Sequence, residues 1–78
     1  MQVLVEIKSD PKEQDPPCEV EMFLDRDGLE YFIRELERLK KSGDHVHMMT
    51  PSWGMDNLSE EKQAIEHILA HHLKTTMI

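Results

Sequence analysis

Apolar positions recur along the chain at two spacings. Over residues 2–8, QVLVEIK, Val3, Val5 and Ile7 share one face, and Gln2, Leu4, Glu6 and Lys8 share the other. Alternation of this kind, rich in β-branched residues, predicts a strand. It returns over 18–24, CEVEMFL, where Val20, Met22 and Leu24 oppose Glu19, Glu21 and Phe23. It returns again over 44–50, DHVHMMT, with Val46, Met48 and Thr50 on one face and His45, His47 and Met49 on the other. That strand is expected to stop at Pro51, which offers no backbone donor. Between the second and third strands the period changes. Leu29, Phe32, Ile33, Leu36 and Leu39 form one apolar stripe and predict a helix over 28–41, packed on the sheet. Asp27 and Glu30 give it an Asp-x-x-Glu start, with Asp25 as a rival cap. Lys40, Lys41 and then Gly43 end it. The pairs Glu30/Arg34 and Glu37/Lys41 add only ~0.2–0.5 kcal/mol each.

The connections read differently from one another. Residues 9–17, SDPKEQDPP, carry three prolines and charges with nothing to bury, and are expected to form a mobile loop. Residues 51–58 are a loop with a turn near Gly54. The C-terminal third admits two readings. Ile65, Ile68, Leu69 and Leu73 have helical spacing, with Asn57 or Ser59 as a cap. A strand over 67–77 would place Ile68, Ala70 and His72 on one face and Leu69, Leu73 and Met77 on the other. Pattern tips toward a helix over 59–70, although the ending KTTMI favours extended chain.

A chain of 78 residues makes one domain, 1–78, with a modest core. The one cysteine, Cys18, excludes an intrachain disulfide and a thiolate metal site. The N-terminus lacks the basic segment and long apolar run of a signal peptide, and no apolar run would span a bilayer. A soluble cytoplasmic protein is therefore expected. The formal charge of −7, from 16 acidic and 9 basic residues, argues against a nucleic-acid partner. It is compatible with a basic protein partner.

Candidate chemistry centres on histidine and tryptophan. His45 and His47 share a strand face, and His67, His71 and His72 follow downstream, so imidazoles from two elements could converge on a transition metal. Surface or half-buried histidines give the same pattern, and no acidic ligand stands at a telling spacing. Ser52 lacks a nucleophile elbow, Cys18 lacks any local signature, and the glycines are isolated, so no catalytic residue, cofactor or metal is expected. Glu6, Glu19 and Glu21 read as a solvated sheet face. Trp53, in the loop after the third strand, either caps the core or anchors an interface, where Trp is the most enriched residue.

The run GDHVHMMTPSWGMDNLSEE resembles the immunity protein 32 family of bacterial polymorphic toxin systems. That family carries a strand with alternating His leading into a Leu-Met-Thr-Pro-Ser-Trp-Gly-Gly-like segment and then an acidic stretch. His45, His47, Met48, Met49, Thr50, Pro51, Ser52, Trp53 and Gly54 carry the likeness. Met55 departs from it, standing where the family has a second glycine. LDRDGLEYFIRELERLKKSG resembles the family's strand-to-helix segment, and HHLKTTMI its closing strand. The resemblance covers roughly residues 20–78. It implies a strand over about 69–77 and a short helical turn over 59–66. It also implies a small protein, encoded beside a toxin, that neutralises that toxin.

Taken together, these readings predict an α+β domain in the order ββαββ. A mostly antiparallel four-stranded sheet carries one long helix on one face. The expected partner is a cognate toxin domain, with no nucleic acid and no membrane, and the chain is expected to be a monomer or weak homodimer. His45, His47, Met49, Thr50, Ser52, Trp53 and Asp56 are the expected contacts. The alternatives are a metal module built on His45 and His47 with one of His67, His71 or His72, and an oligomerising adaptor with no toxin.

Overall fold

The computed structural model describes residues 1–8 and 19–78. The expected loop at 9–17, like Cys18, lies outside the described residues. The elements are β1 (Val3–Ile7), β2 (Val20–Leu24), α1 (Arg26–Ser42), β3 (His45–Met49), a 3-10 turn (Pro51–Trp53), β4 (Ile68–Leu69) and β5 (His72–Thr76). The class is α+β, and every strand pairing is antiparallel.

One sheet has the order β2-β1-β4, and β3 pairs with β5 in a second. The expected single four-stranded sheet is thus split, because the closing strand breaks in two. The Ala70 N–H turns to the Val5 carbonyl at 2.8 Å, whereas the His71 carbonyl accepts from Thr50 N–H at 3.0 Å. The chain therefore pairs with β1 before the break and with β3 after it.

Asp25, not Asp27, caps the helix, accepting from the Gly28 N–H at 2.6 Å. Gly43 ends it at φ 69°, a left-handed conformation that a side chain would strain, and its N–H reaches the Leu39 carbonyl. Gly28 also sets the docking distance. A Cβ there would lie 1.8 Å from the Gln2 carbonyl oxygen, so the helix start touches the backbone just before β1 directly.

The helix buries a different line from the expected stripe. Gly28 and Leu39 are buried and Tyr31 and Phe32 half-buried, but Leu29, Ile33 and Leu36 are 46%, 45% and 38% exposed. The close approach at Gly28 rolls the contact line onto residues 28, 32 and 39, leaving the rest of the stripe on one flank. The core is Val3, Val5, Met48 and Leu58, with Tyr31, Phe32, Ala70 and Leu73 packed against it.

β1 is buried on both faces. Val3 and Val5 face the core, while Leu4 and Glu6, on the face expected to be solvated, have 1% and 0% exposure. The segment 59–67 accounts for this. The Glu6 carboxylate accepts from Gln63 N–H at 2.7 Å and Ala64 N–H at 3.3 Å, and meets His67 Nδ1 at 2.8 Å. These donors are committed to a side chain from the other end of the chain, and no helix forms over 59–70. The apolar spacing there is left outside, with Ile65 at 87% exposure. Burial alone would raise the Glu6 pKa, but the hydrogen bonds from Gln63, His67 and Ala64 outweigh it and hold the carboxyl below its ordinary 4.5. The group thus adds stability in full above that value, lost as pH falls through the lowered one.

Truncating Leu58 to Ala is expected to cost ~2–5 kcal/mol in urea unfolding. Leu36→Ala should cost under about 1 kcal/mol at low protein concentration. Equal losses at the two positions would contradict the rolled helix contact.

Candidate functional site

The strand registry of β3 and β5 builds one side-chain face from the bottom up. His45, His47 and Met49 lie opposite Thr76, Lys74 and His72, while Val46 and Met48 turn inward to the core. Imidazoles dominate the outward face. His47 Nδ1 and His72 Nε2 are 2.8 Å apart, so one ring donates and the other accepts. The His45 ring stands edge-on to His47 at 4.7 Å, its Nδ1 turned to the Asp44 carboxylate at 2.8 Å.

Trp53 completes this face. It is 58% exposed, so it does not plug the core. Its indole lies nearly parallel to the His71 ring, 8° between planes at 6.1 Å, and tilts over His72 at 6.2 Å. The turn that presents it is held from beneath. Thr50 is fully buried; its carbonyl accepts from Trp53 N–H at 2.9 Å and its hydroxyl meets His71 Nδ1 at 2.6 Å. Thr50, expected as a contact, is therefore the anchor of the turn. Gly54 takes φ 101°, and no non-glycine residue among those described has positive φ, so Met55 sits at the second-glycine position without backbone strain.

The loop after the turn is stitched to both neighbouring elements. Asn57 accepts from Met49 N–H at 2.8 Å and donates to the Tyr31 hydroxyl at 3.0 Å. Glu60 accepts from Ser52 N–H at 2.8 Å and lies 3.9 Å from His71. The hydrogen bonds from Ser52 hold its carboxyl below the ordinary glutamate value. Asp56, Glu60 and Glu61 rim a cleft of about 350 Å³ whose other walls include Met1, Gln2 and Pro51.

The structure thus brings together His45, His47, Met49 and Trp53. Ser52 is exposed in the turn that carries Trp53, and Asp56 is exposed beyond Gly54, which caps that turn. His71 and His72, expected as metal candidates and as part of the closing strand but not as contacts, form the platform under Trp53. Their adjacency in HHLK, with the partner strand carrying His-x-His, is the local signal for it. His67 is withdrawn into the Glu6 pair. Among the described residues, no three His, Cys, Asp or Glu side chains converge as a metal-binding group. No helix among the described residues is long and apolar enough to cross a membrane.

Compared with known proteins, residues 19–73 match the family model described as Immunity protein 32. No curated protein and no solved structure matches the chain.

Burial, then repulsion from His45, His72 and Lys74, holds the His47 pKa below its ordinary 6.5, with Asp44 opposing. In this case the unfolded chain takes up the proton first. The stability His47 contributes is full above 6.5 and is lost as pH falls through the lowered value. A His47→Gln variant should therefore show a shallower fall of Tm in the window just below 6.5 than the parent. An unchanged slope would place the proton uptake on other groups.

Proposed function

Because the chain belongs to the immunity protein 32 family, we propose that it neutralises a toxin domain by non-catalytic protein–protein binding. The contact surface is the face carrying His45, His47, Met49, Ser52, Trp53 and Asp56. One observation carries this placement. Trp53 is more than half exposed, yet it is seated on a fixed platform of His71 and His72 by a turn whose anchor, Thr50, is fully buried. A large, rigid, amphipathic side chain presented in advance has little conformational freedom to lose on binding, which is what an interface anchor requires.

The surroundings favour a basic partner. Asp56, Glu60 and Glu61 rim the cleft that Pro51, at the start of the tryptophan turn, also lines, and the chain as a whole carries −7. Opposite fields speed encounter and fix orientation. Met49 adds a contact that adapts its shape. Inhibition then follows from occupancy: the bound face covers the toxin surface that its substrate would need.

Trp53→Ala is expected to leave Tm nearly unchanged and to weaken binding to the cognate toxin at least tenfold, about 1.4 kcal/mol or more. Co-expression with the toxin should then fail to protect cells. Full protection by a folded Trp53→Ala variant would remove Trp53 from the interface.

A further inference from the structure

The helix stripe expected to be buried is only partly covered within one chain. Leu29, Ile33 and Leu36 lie on the flank of α1 opposite Tyr31, the residue that reaches the Asn57 loop beside β3. That flank is on the β2 side. Val20, Met22 and Leu24 of β2 are 62%, 37% and 36% exposed and lie on the same sheet face, opposite Ile7, Val5 and Val3. Six apolar side chains from a strand and a helix thus line one seam. Contiguous exposed apolar surface of this kind marks a contact site.

The seam runs along an open backbone edge. β2 is the outermost strand of its sheet, and among the described residues no segment pairs with its outer side. The hydrogen-bond parity of that side follows from the ladder. Lys8 N–H donates to the Glu19 carbonyl at 3.1 Å, and Asp25 N–H to the Gln2 carbonyl at 3.3 Å. Bonded residues alternate in an antiparallel pair, so Glu19, Glu21 and Phe23 turn their backbone groups to β1. Val20, Met22 and Leu24 turn theirs outward.

We propose that a second copy of this chain occupies this edge, with the two β2 strands antiparallel about a two-fold axis at Met22. Charge and strand length together select the register: an axis at Leu24 would pair Met22 with Arg26, which already belongs to the helix. An axis at Glu21 would set Glu21 against Glu21 of the second copy, one at Val20 would set Glu19 against Glu21, and one at Phe23 would set Glu21 against Asp25. The Met22 axis instead sets Glu21 against Phe23 and Val20 against Leu24, leaving only Glu19 and Asp25 opposed at the strand ends. It also uses all the outward backbone groups of Val20, Met22 and Leu24 in reciprocal bonds. An axis normal to the sheet keeps both helices on one face. Their Leu29, Ile33 and Leu36 flanks then meet over the doubled row of β2 side chains. The patch is self-complementary, as a two-fold interface requires. Two chains of −7 repel each other, so added salt strengthens the association.

Sedimentation equilibrium of the full chain from about 1 to 200 µM tests the pairing. A monomer–dimer equilibrium is expected, shifting toward dimer as salt rises. Met22→Pro removes the outward N–H together with the Met22 side chain of the seam, a substitution edge strands tolerate. It should weaken self-association at least tenfold while circular dichroism keeps the β signal. Ile33→Glu, at an exposed helix position, should do the same and decides the matter if the proline variant fails to fold. A wild-type chain that stays monomeric throughout overturns the proposal, whether residues 9–18 or nothing covers the seam. So does a dimer that survives both substitutions. If the wild type is monomeric and Ile33→Glu abolishes protection against the toxin, the seam belongs to the toxin instead. Binding through Trp53 is read separately, so either inference can fail alone.

Discussion

A carboxylate without exposed surface, that of Glu6, connects the two ends of the chain. It sits in mid-strand on the sheet face away from the helix, where an unpaired charge would be untenable. Two backbone N–H groups and an imidazole, from residues 63, 64 and 67, surround it. The exchange is reciprocal. The segment 59–67 forms no helix or strand of its own, and Glu6 supplies an acceptor that its N–H groups would otherwise lack. Glu6 in turn gains a neighbourhood in which a buried charge is hydrogen-bonded.

The consequences run outward from that point. The tethered segment closes the second face of β1 over Leu4 and brings Leu58 into the core with Val3, Val5 and Met48. On one side it continues into β4 and β5, which place His71 and His72 against β3. On the other it leads back through Glu60 and Asn57, which hold the Pro51–Trp53 turn and the edge of β3. Trp53 is therefore presented by a chain of contacts that begins at the opposite end of the sequence. That makes its exposure a property of the fold rather than of a loose loop.

What was legible in the sequence was what local chemistry determines. Alternation located β1, β2 and β3 to within two residues, and Gly43 marked the helix end because only a left-handed residue closes it there. The α+β class and the family resemblance followed from those elements and from the Thr50–Gly54 run. The failures are non-local. Glu6 looked solvated because its partners lie some sixty positions away, and no periodicity records a pairing of that range. Residues 59–70 have helical apolar spacing, yet their amides were claimed by Glu6. The helix stripe was located correctly, but its burial was not, because Gly28 lets α1 settle on β1 along another line. Among the site residues, His45, His47 and Met49 were legible as one face from strand parity, whereas Trp53 was legible only as part of the loop that follows β3. The imidazole platform beneath Trp53 was not, because it needs the β3–β5 register and the break at residues 70–71.

Amide hydrogen exchange of the chain, free and mixed with a candidate toxin domain, tests the proposed contact face most directly. New protection is expected in residues 44–57 and 70–74, where β3, the Trp53 turn and the start of β5 lie. Protection confined to β2 and α1, with the amides of 44–57 exchanging as in the free chain, would contradict it.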